Sequence, residues 1–400
     1  MKTVLAYSGG LDTSVCIKWI QEKYDSEVIT LTVDVGQKRN FKLIEERAKK
    51  LGVLKHYYID AKEEFVLNYV FPAIKANAMY EGVYPLSSAL SRPLIASKLV
   101  EIAEKEGASA VAHGCTGKGN DQVRFEVTIH ALNPELKVIA PVREWNLNRE
   151  DEVKYLKESG LDIEIEQGGV YSIDQNLWGR SIEGGVLEHP DVEPPEEIYE
   201  WTSPIEKTPQ EPQYVKIGFS KGVPTQIDGE SMKPVELIRE LNVIAGRHGI
   251  GRIEHLEDRL VGIKSREVYE CPAALVLLKA HKDLEKSILT RRELEFKSLV
   301  DDEWSRLVYF GLWMDPLKED LEAFINSTQE RVSGEVKLKL YKGNALVVGR
   351  SSKNMLYDLN LATYGLESTF NQKASEGFIE LWGLQTKLAR KIASRELENV

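Results

Sequence analysis

The stretch Ala6-Tyr7-Ser8-Gly9-Gly10-Leu11-Asp12-Thr13-Ser14 joins two unlike patterns. Before it runs a short apolar segment, Val4 to Tyr7, that reads as a buried parallel strand. After it, Val15, Cys16, Ile17, Trp19 and Ile20 recur at helical spacing. Gly9 and Gly10 lack Cβ, so the backbone between strand and helix can turn sharply and come close to a ligand. The free N–H groups of the helix start face that turn, and Ser8, Thr13 and Ser14 add hydroxyl donors. Such a junction holds phosphate. It is not the GxxxxGK[ST] loop, because the lysine is missing and the glycines are too close. Nor is it the GxGxxG dinucleotide fingerprint, because its two glycines are adjacent.

A chain of 400 residues is too long for one ordinary core, so two domains are expected. Hydrophobic residues at 42% and charged residues at 29% describe a folded globular protein rather than a disordered one. The net charge of −11 comes with no lysine- or arginine-rich block, which argues against a nucleic-acid partner. The longest apolar run, Ala273 to Leu278, is far too short to span a membrane, so no membrane partner is expected. Met1-Lys2-Thr3 leads directly into a strand, leaving no room for a secretory or transit peptide. The three cysteines, Cys16, Cys115 and Cys271, are widely separated and form no CxxC. That spacing disfavours a zinc site or a disulfide framework and suits a reducing, cytoplasmic setting. Cys16 and Cys115 read as small packing residues, with reactive thiols beside the nucleotide as the alternative.

Strand-like segments at Thr3–Tyr7, Glu27–Val35, His56–Asp60, Ser109–His113 and Lys137–Pro141 alternate with helical patterns such as Phe41, Ile44, Ala48, Leu51 and Leu94, Ile95, Leu99, Ile102. This alternation predicts an α/β fold, a Rossmann-like parallel sheet with helices on both faces. Ligands in such sheets bind beyond the carboxyl ends of the strands. The glycine turn, Asp34-Val35-Gly36-Gln37 and His113-Gly114 should therefore meet at one rim. From about Ile165 the texture changes, through Gly168-Gly169, Gly184-Gly185 and the proline-rich His189–Pro212 segment. Short strands follow (Tyr214–Phe219, Val336–Tyr341, Ala345–Gly349), with a helix over Val235–Arg247, which predicts a second α/β domain of antiparallel, α+β character. Near the end Phe378, Leu381, Leu384, Leu388 and Ile392 make one apolar stripe, expected on a single C-terminal helix. That stripe must be buried on the parent domain or on another subunit. The domain limits read from this are 1–165, 166–363 and 364–400.

A second block, Ala112-His113-Gly114-Cys115-Thr116-Gly117-Lys118-Gly119-Asn120-Asp121-Gln122-Val123-Arg124-Phe125-Glu126, collects a glycine loop, an amide, a carboxylate and a guanidinium. Together these suit a zwitterion, with Asp121 for an ammonium and Arg124 for a carboxylate. Asp121 and Arg124 alone, three apart, would also fit a plain helix-surface ion pair. Among the histidines of this region, His113 stands closest to the chemistry, although His113, His248 and His255 all read as structural. Lys118 and Arg92 are candidates for neutralising phosphate charge.

The first block resembles the SGGxDS/T signature of ATP pyrophosphatases, of the adenine nucleotide alpha hydrolase-like fold. The second closely resembles the matching segment of the argininosuccinate synthase family. The resemblance covers essentially the whole chain, through Gly36-Gln37, Tyr84 to Arg92-Pro93, Tyr171-Ser172 to Ser181, Gly246 to Arg252 and Lys264-Ser265-Arg266 to Tyr269-Glu270. It implies an ATP-dependent ligase of arginine biosynthesis that joins citrulline to aspartate through a citrullyl-adenylate, releasing AMP and pyrophosphate. It also implies a homotetramer that assembles through a C-terminal helix. ATP, as substrate with Mg²⁺, would lie on Ala6, Tyr7, Ser8, Gly9, Gly10, Leu11, Asp12, Thr13 and Ser14, with Val33 and Gly114 around the adenosine. Aspartate would contact Thr116, Asn120 and Asp121. Citrulline would contact Tyr84, Ala89, Asn120, Arg124, Ser172, Ser181, Glu257 and Tyr269. Asp12 and Asp121 carry the catalytic expectation, Asp12 beside the pyrophosphate and Asp121 beside the attacking amine. One departure stands out. Where the family commonly has Gly-Thr-Ser-Leu-Ala-Arg-Pro, this chain has Ser87-Ser88-Ala89-Leu90-Ser91-Arg92-Pro93, so the citrulline-contacting serine is replaced by Ala89, flanked by Ser88 and Ser91.

Overall fold

A computed structural model of the chain describes residues 1–145, 149–158 and 171–397. The chain divides into a compact unit Met1–Asn354 and a second unit Met355–Val400. The expected cut at 165/166, with the Gly168-Gly169 pair, lies outside the described residues.

The first strands are β1 (Lys2–Ala6), β2 (Glu27–Asp34) and β3 (Lys55–Asp60), separated by helices α1 (Leu11–Tyr24) and α2 (Phe41–Lys50). Helix α3 (Ser87–Glu106), β4 (Ala110–Ala112), α4 (Asp121–Leu132) and β5 (Lys137–Ile139) complete a parallel sheet of order β3-β2-β1-β4-β5. Its inner strands β1, β2 and β4 are buried on both faces, as parallel strands must be when helices cover both sides, while the edge strand β3 is half exposed. Val4 packs into the core with Leu94 and Leu99 of α3, whereas its neighbour Leu5 points the other way, toward Val15 and Ile17 of α1. β1 is flanked by β2 on one side and β4 on the other, so the chain reverses its direction of travel across the sheet between them. The crevice at that reversal is where an open parallel sheet exposes its loops to a ligand.

Two antiparallel sheets follow in the same unit. One joins β6 (Ser172–Gln175) and β7 (Arg180–Glu183) to a later hairpin; the other starts with β8 (Gln213–Ser220), β9 (Val223–Ile227) and β10 (Glu230–Ser231). After α5 (Pro234–Arg247) come β11 (Arg252–Asp258) and β12 (Lys264–Glu270), then α6 (Pro272–Ile288), α7 (Arg291–Tyr309), α8 (Pro316–Gln329), β13 (Gly334–Tyr341) and β14 (Asn344–Ser351). The sheet orders are β11-β12-β7-β6 and β10-β9-β8-β13-β14. In the first, Ser181 lies opposite Asp174 and Tyr269, and Ser172 lies opposite Glu183. This pairing carries polar residues from three strands onto one surface.

In the second unit the apolar stripe falls on two helices rather than one: α9 (Ala374–Trp382) and α10 (Leu384–Leu397), divided at Gly383. The helical ladder nearly continues across the break, since Gly383 N–H donates to Ile379 O at 3.0 Å and Gly383 O accepts from Lys387 N–H at 2.9 Å. Glycine, with no side chain to restrict it, is a residue at which a helix readily breaks.

Candidate active site

The loop between β1 and α1 is shaped by Gly9, whose φ of +78° puts it in the left-handed region. A Cβ there would also sit 2.6 Å from Ile44 Cγ1, so glycine is needed for conformation and for space. Gly10 occupies the N-cap of α1 and offers no side-chain cap to the first N–H groups. Around it, Ser8 Oγ accepts from Gly10 N–H at 3.3 Å and lies 3.1 Å from Thr13 Oγ1. Ser14 turns inward instead, donating to Gly10 O at 2.7 Å beside the Tyr7 hydroxyl. The loop after β4 closes on this turn: a Cβ on Gly114 would come within 2.9 Å of Thr13 Cγ2. The loop after β2 arrives on the same side, with Gly36 N–H donating to Asp34 Oδ1 and Val35 N–H to Gln37 Oε1, both at 2.8 Å.

These three loops open into a cleft of about 630 Å³ that continues onto the β11-β12-β7-β6 sheet. At its far end Asp121, first residue of α4, is held between two guanidiniums. Arg124 Nη1 donates to its Oδ1 at 3.0 Å, and Arg92 donates to its Oδ2 from Nε at 2.8 Å and pairs with it from Nη2 at 2.7 Å. Burial works against ionisation of Asp121, but Arg92 and Arg124 together outweigh it and hold its carboxyl at about 2. Arg92 Nη2 also reaches Asp174 Oδ2 at 2.7 Å, and Ser88 Oγ donates to that same oxygen at 2.7 Å. Arg92 therefore bridges two carboxylates here instead of standing free for phosphate.

Arg124 is 3% exposed, and its Nε donates to Tyr309 O at 3.0 Å. Its Nη2 is buried and has no hydrogen-bond partner among the described residues. A buried guanidinium N–H without an acceptor is costly in isolation, and a carboxylate that reached it would remove that cost.

The wall behind Arg124 is a set of tyrosines around one buried carboxylate. Tyr269 OH donates to Glu257 Oε2 at 2.6 Å, and Tyr309 OH donates to Glu257 Oε1. Burial and then the charge of Glu257 push both phenols well up, so they remain donors. Tyr84 stacks on Tyr269 with ring centroids 4.3 Å apart. Asn120 is held at both ends, donating from Nδ2 to Tyr309 OH at 2.9 Å and accepting from Leu260 N–H at 2.8 Å.

Of the residues expected to meet ATP, the structure lines the cleft with Ala6, Tyr7, Ser8, Gly10, Leu11, Asp12, Thr13, Val33 and Gly114, but not with Gly9 or Ser14. The expected amino-acid contacts Thr116, Asn120, Asp121, Tyr84, Arg124, Ser172, Ser181, Glu257 and Tyr269 line it too. Ala89 is buried in the core and absent from the lining, while its neighbour Ser88 faces the cleft. Cys16 is fully buried beneath the cradle, and burial pushes its thiol up, which fits a packing role. Cys115 lines the cleft, but burial raises its thiol as well. His113 is buried and occupied on both nitrogens: Nδ1 accepts from Cys115 N–H at 3.2 Å, and Nε2 lies 3.1 Å from Glu126 Oε1.

Comparison with known proteins places the chain in a family. Residues 2–162 match the model of the arginosuccinate synthase N-terminal HUP domain, and residues 171–389 match that of the arginosuccinate synthase C-terminal domain. The chain belongs to the argininosuccinate synthase family. An argininosuccinate synthase of Pyrococcus furiosus is 63% identical over 389 residues, covering 97% of this chain and 94% of that one. Another, from Bacillus cytotoxicus, is 56% identical over 397 residues, 99% of each chain. As a member of this family the chain is an ATP-using enzyme of the argininosuccinate synthase type. No helix among the described residues is long and apolar enough to cross a membrane.

Several lining residues escaped the sequence reading. Asp174, Glu183, Arg259 and Glu267 all face the cleft, and Tyr309 anchors both Asn120 and Glu257. Three of them had a usable signal. Asp174 stands two residues beyond Ser172, Glu183 two beyond Ser181 and Glu267 two before Tyr269, and residues two apart on a strand share a face. Tyr309, at the end of α7, had none; only the tertiary fold brings it to the site.

Proposed function

We propose that this cleft condenses L-citrulline with L-aspartate at the expense of ATP, giving argininosuccinate, AMP and pyrophosphate. One observation carries the reading: a single cavity joins an uncapped glycine turn at the sheet's crevice to a buried arginine whose Nη2 has no acceptor among the described residues. The first suits a polyphosphate and the second an amino-acid carboxylate. The ureido carbonyl of citrulline is a poor electrophile because nitrogen lone pairs feed it. Attack by its oxygen on the α-phosphorus of ATP forms a citrullyl-adenylate and expels pyrophosphate. The N–H groups at the start of α1, with the hydroxyls of Ser8 and Thr13, then stabilise the charge that builds on the departing group. The aspartate amine attacks the activated carbon and AMP leaves. No nucleophile of the protein enters the sequence. Holding three substrates in line is the main contribution, worth on the order of 7–11 kcal/mol at best.

Residue roles follow the same lines. Ala6 to Ser14 with Val33 and Gly114 hold ATP, some through their backbone; Gly9 and Ser14 act from behind the lining by shaping the turn. Thr116, Asn120 and Asp121 serve aspartate. Tyr84, Asn120, Arg124, Ser172, Ser181, Glu257 and Tyr269 serve citrulline, with Ser88 supplying the hydroxyl that Ala89 lacks. Among the described residues no three ligating side chains cluster for a metal. A lone carboxylate in the first turn of α1, Asp12, does suit Mg²⁺, which is commonly held by one or two carboxylates plus substrate phosphates. The ion would add positive charge beside the pyrophosphate. The two apolar helices of the second unit support assembly into a homotetramer. Free cysteines and metabolite substrates support a cytoplasmic location.

The test is an assay with each substrate omitted in turn. AMP and pyrophosphate should form only with citrulline present, and argininosuccinate only with all three substrates. With ¹⁸O in the ureido group, the label should pass to AMP. ADP and orthophosphate as products, or label retained in argininosuccinate, would refute the reading.

A further inference from the structure

The amine of aspartate arrives as an ammonium and must shed protons before and during attack. Forming the new C–N bond and expelling AMP from an isouronium carbon leaves two protons to be accepted for each amine consumed. Asp121 is the obvious neighbour, yet it is unsuited to take one: its carboxyl is held at about 2 by Arg92 and Arg124. Three N–H groups already occupy its oxygens, leaving room on Oδ1 to hold an ammonium without deprotonating it. Asp174 is tied to Arg92 and Ser88 through Oδ2. Glu257 has a phenol on each oxygen.

A different environment surrounds Glu183 and Glu267. Both line the cleft, and both are held by one guanidinium: Arg259 Nη2 lies 2.5 Å from Glu183 Oε2 and 2.7 Å from Glu267 Oε1. Two carboxylates on one arginine leave an excess negative charge, so the pair can take up a proton. Glu267 is buried and its Oε1 also accepts from Ser265 Oγ at 2.7 Å. Glu183 is the accessible member, with a side chain 41% exposed and an Oε1 that has no hydrogen bond among the described residues. Strand pairing puts it opposite Ser172 and two residues from Ser181, on the cleft face of the sheet. Arg259 Nη1 reaches across to Lys118 O at 3.2 Å, tying this pair to the glycine loop that leads into Asp121.

We infer that Glu183 is the proton acceptor for the attacking amine, with Glu267 and Arg259 as the positioning residues that set its basicity. The amine, held by Asp121, gives a proton to Glu183 Oε1 as its lone pair closes on the activated carbon. The AMP oxygen leaves with the electron pair of the broken C–O bond, and the second proton follows the first to water through the exposed carboxyl. The charged groups bearing on Glu183 agree with this role. Burial and the charge of Glu267 raise its carboxyl, Arg259 lowers it, and Asp121 raises it again from α4. Glu267 is raised by burial too, with Glu257 adding to the effect.

This inference rests on the adenylate route above, so the test separates the two half-reactions in the intact enzyme. Exchange of labelled pyrophosphate into ATP, measured with citrulline and without aspartate, reports the first step alone. Glu183→Gln should keep that exchange within about twofold while argininosuccinate formation falls about 10²–10³-fold, the usual worth of a positioned base. Its turnover should lose the acid limb seen in the unsubstituted enzyme and climb steadily with pH. Glu183→Asp, with a carboxylate on a shorter stem, should retain the limb at roughly a tenth of the rate. A Glu183→Gln enzyme that keeps turnover within threefold, or loses exchange together with turnover, overturns the inference, as does a Glu183→Asp enzyme without the limb. Absence of exchange in the unsubstituted enzyme would instead remove the adenylate route and this inference with it.

Discussion

Asp121 shows how much of this site is decided by charge rather than by shape. Its carboxyl sits at about 2 in the folded chain against an ordinary value of 3.8. A carboxyl lowered by folding contributes stability that is fully present above the unfolded value and is lost as pH falls through the folded one. The window is therefore about pH 4 down to pH 2, and the contribution is about 2 kcal/mol. Asp121→Asn leaves two guanidiniums short of a counter-charge, so it should destabilise by roughly 3–5 kcal/mol near neutrality. The gap from the unsubstituted protein should narrow between pH 4 and pH 3 in urea unfolding, and a constant gap would show that Asp121 is not the titrating partner. From the sequence, only Asp121 and Arg124, three residues apart, were legible as a pair. Arg92 comes from a separate helix, 29 residues upstream, and nothing in its spacing announces where its guanidinium ends. The same holds for Glu183, 76 residues upstream of the Arg259 that also holds Glu267.

Among the elements, the cradle depends on a contact between α1's turn and α2. Ile44 of α2 occupies the space a Gly9 side chain would need, and Arg47 Nη1 donates to Gly9 O at 3.1 Å. Gly9→Ala would bring both left-handed strain, about 1–2 kcal/mol, and a clash that α2 must relieve, typically another 1–3 kcal/mol. The expected result is a loss of about 2–5 kcal/mol in unfolding free energy and ATP binding weakened at least tenfold by calorimetry, with β1 and α1 retained in far-ultraviolet circular dichroism. Unchanged ATP affinity would mean that the turn's shape is not what grips phosphate. At this scale the sequence was most readable, because periodicity and glycine punctuation are local. All five parallel strands lie within a residue or two of their expected limits; the last ends at Ile139 rather than Pro141, since Pro141 opens a short helix. Gly383 is the contrary case: an apolar stripe carries the eye across a glycine at which the helix divides.

For the whole molecule, the question is what the last forty-odd residues do for the rest. Among the described residues, those of the packed cores and those that line the cleft all lie within the unit Met1–Asn354. It therefore has what it needs to fold and to bind. The second unit presents Phe378, Leu381 and Trp382 at 60%, 76% and 73% exposure, on helices whose polar residues cannot cover them. Apolar surface concentrated in this way marks an interaction site, and a second copy of the same helices is a partner of matching chemistry. A chain ending at Asn354 should thus unfold cooperatively and bind ATP, yet light scattering should give about half the mass of the full-length assembly or less. Substituting Leu381 and Trp382 by serine in the full chain should have the same effect on mass while leaving the chain length intact. If both altered proteins kept the parent mass, assembly would have to run through the body of the enzyme, and the exposed stripe would need another partner.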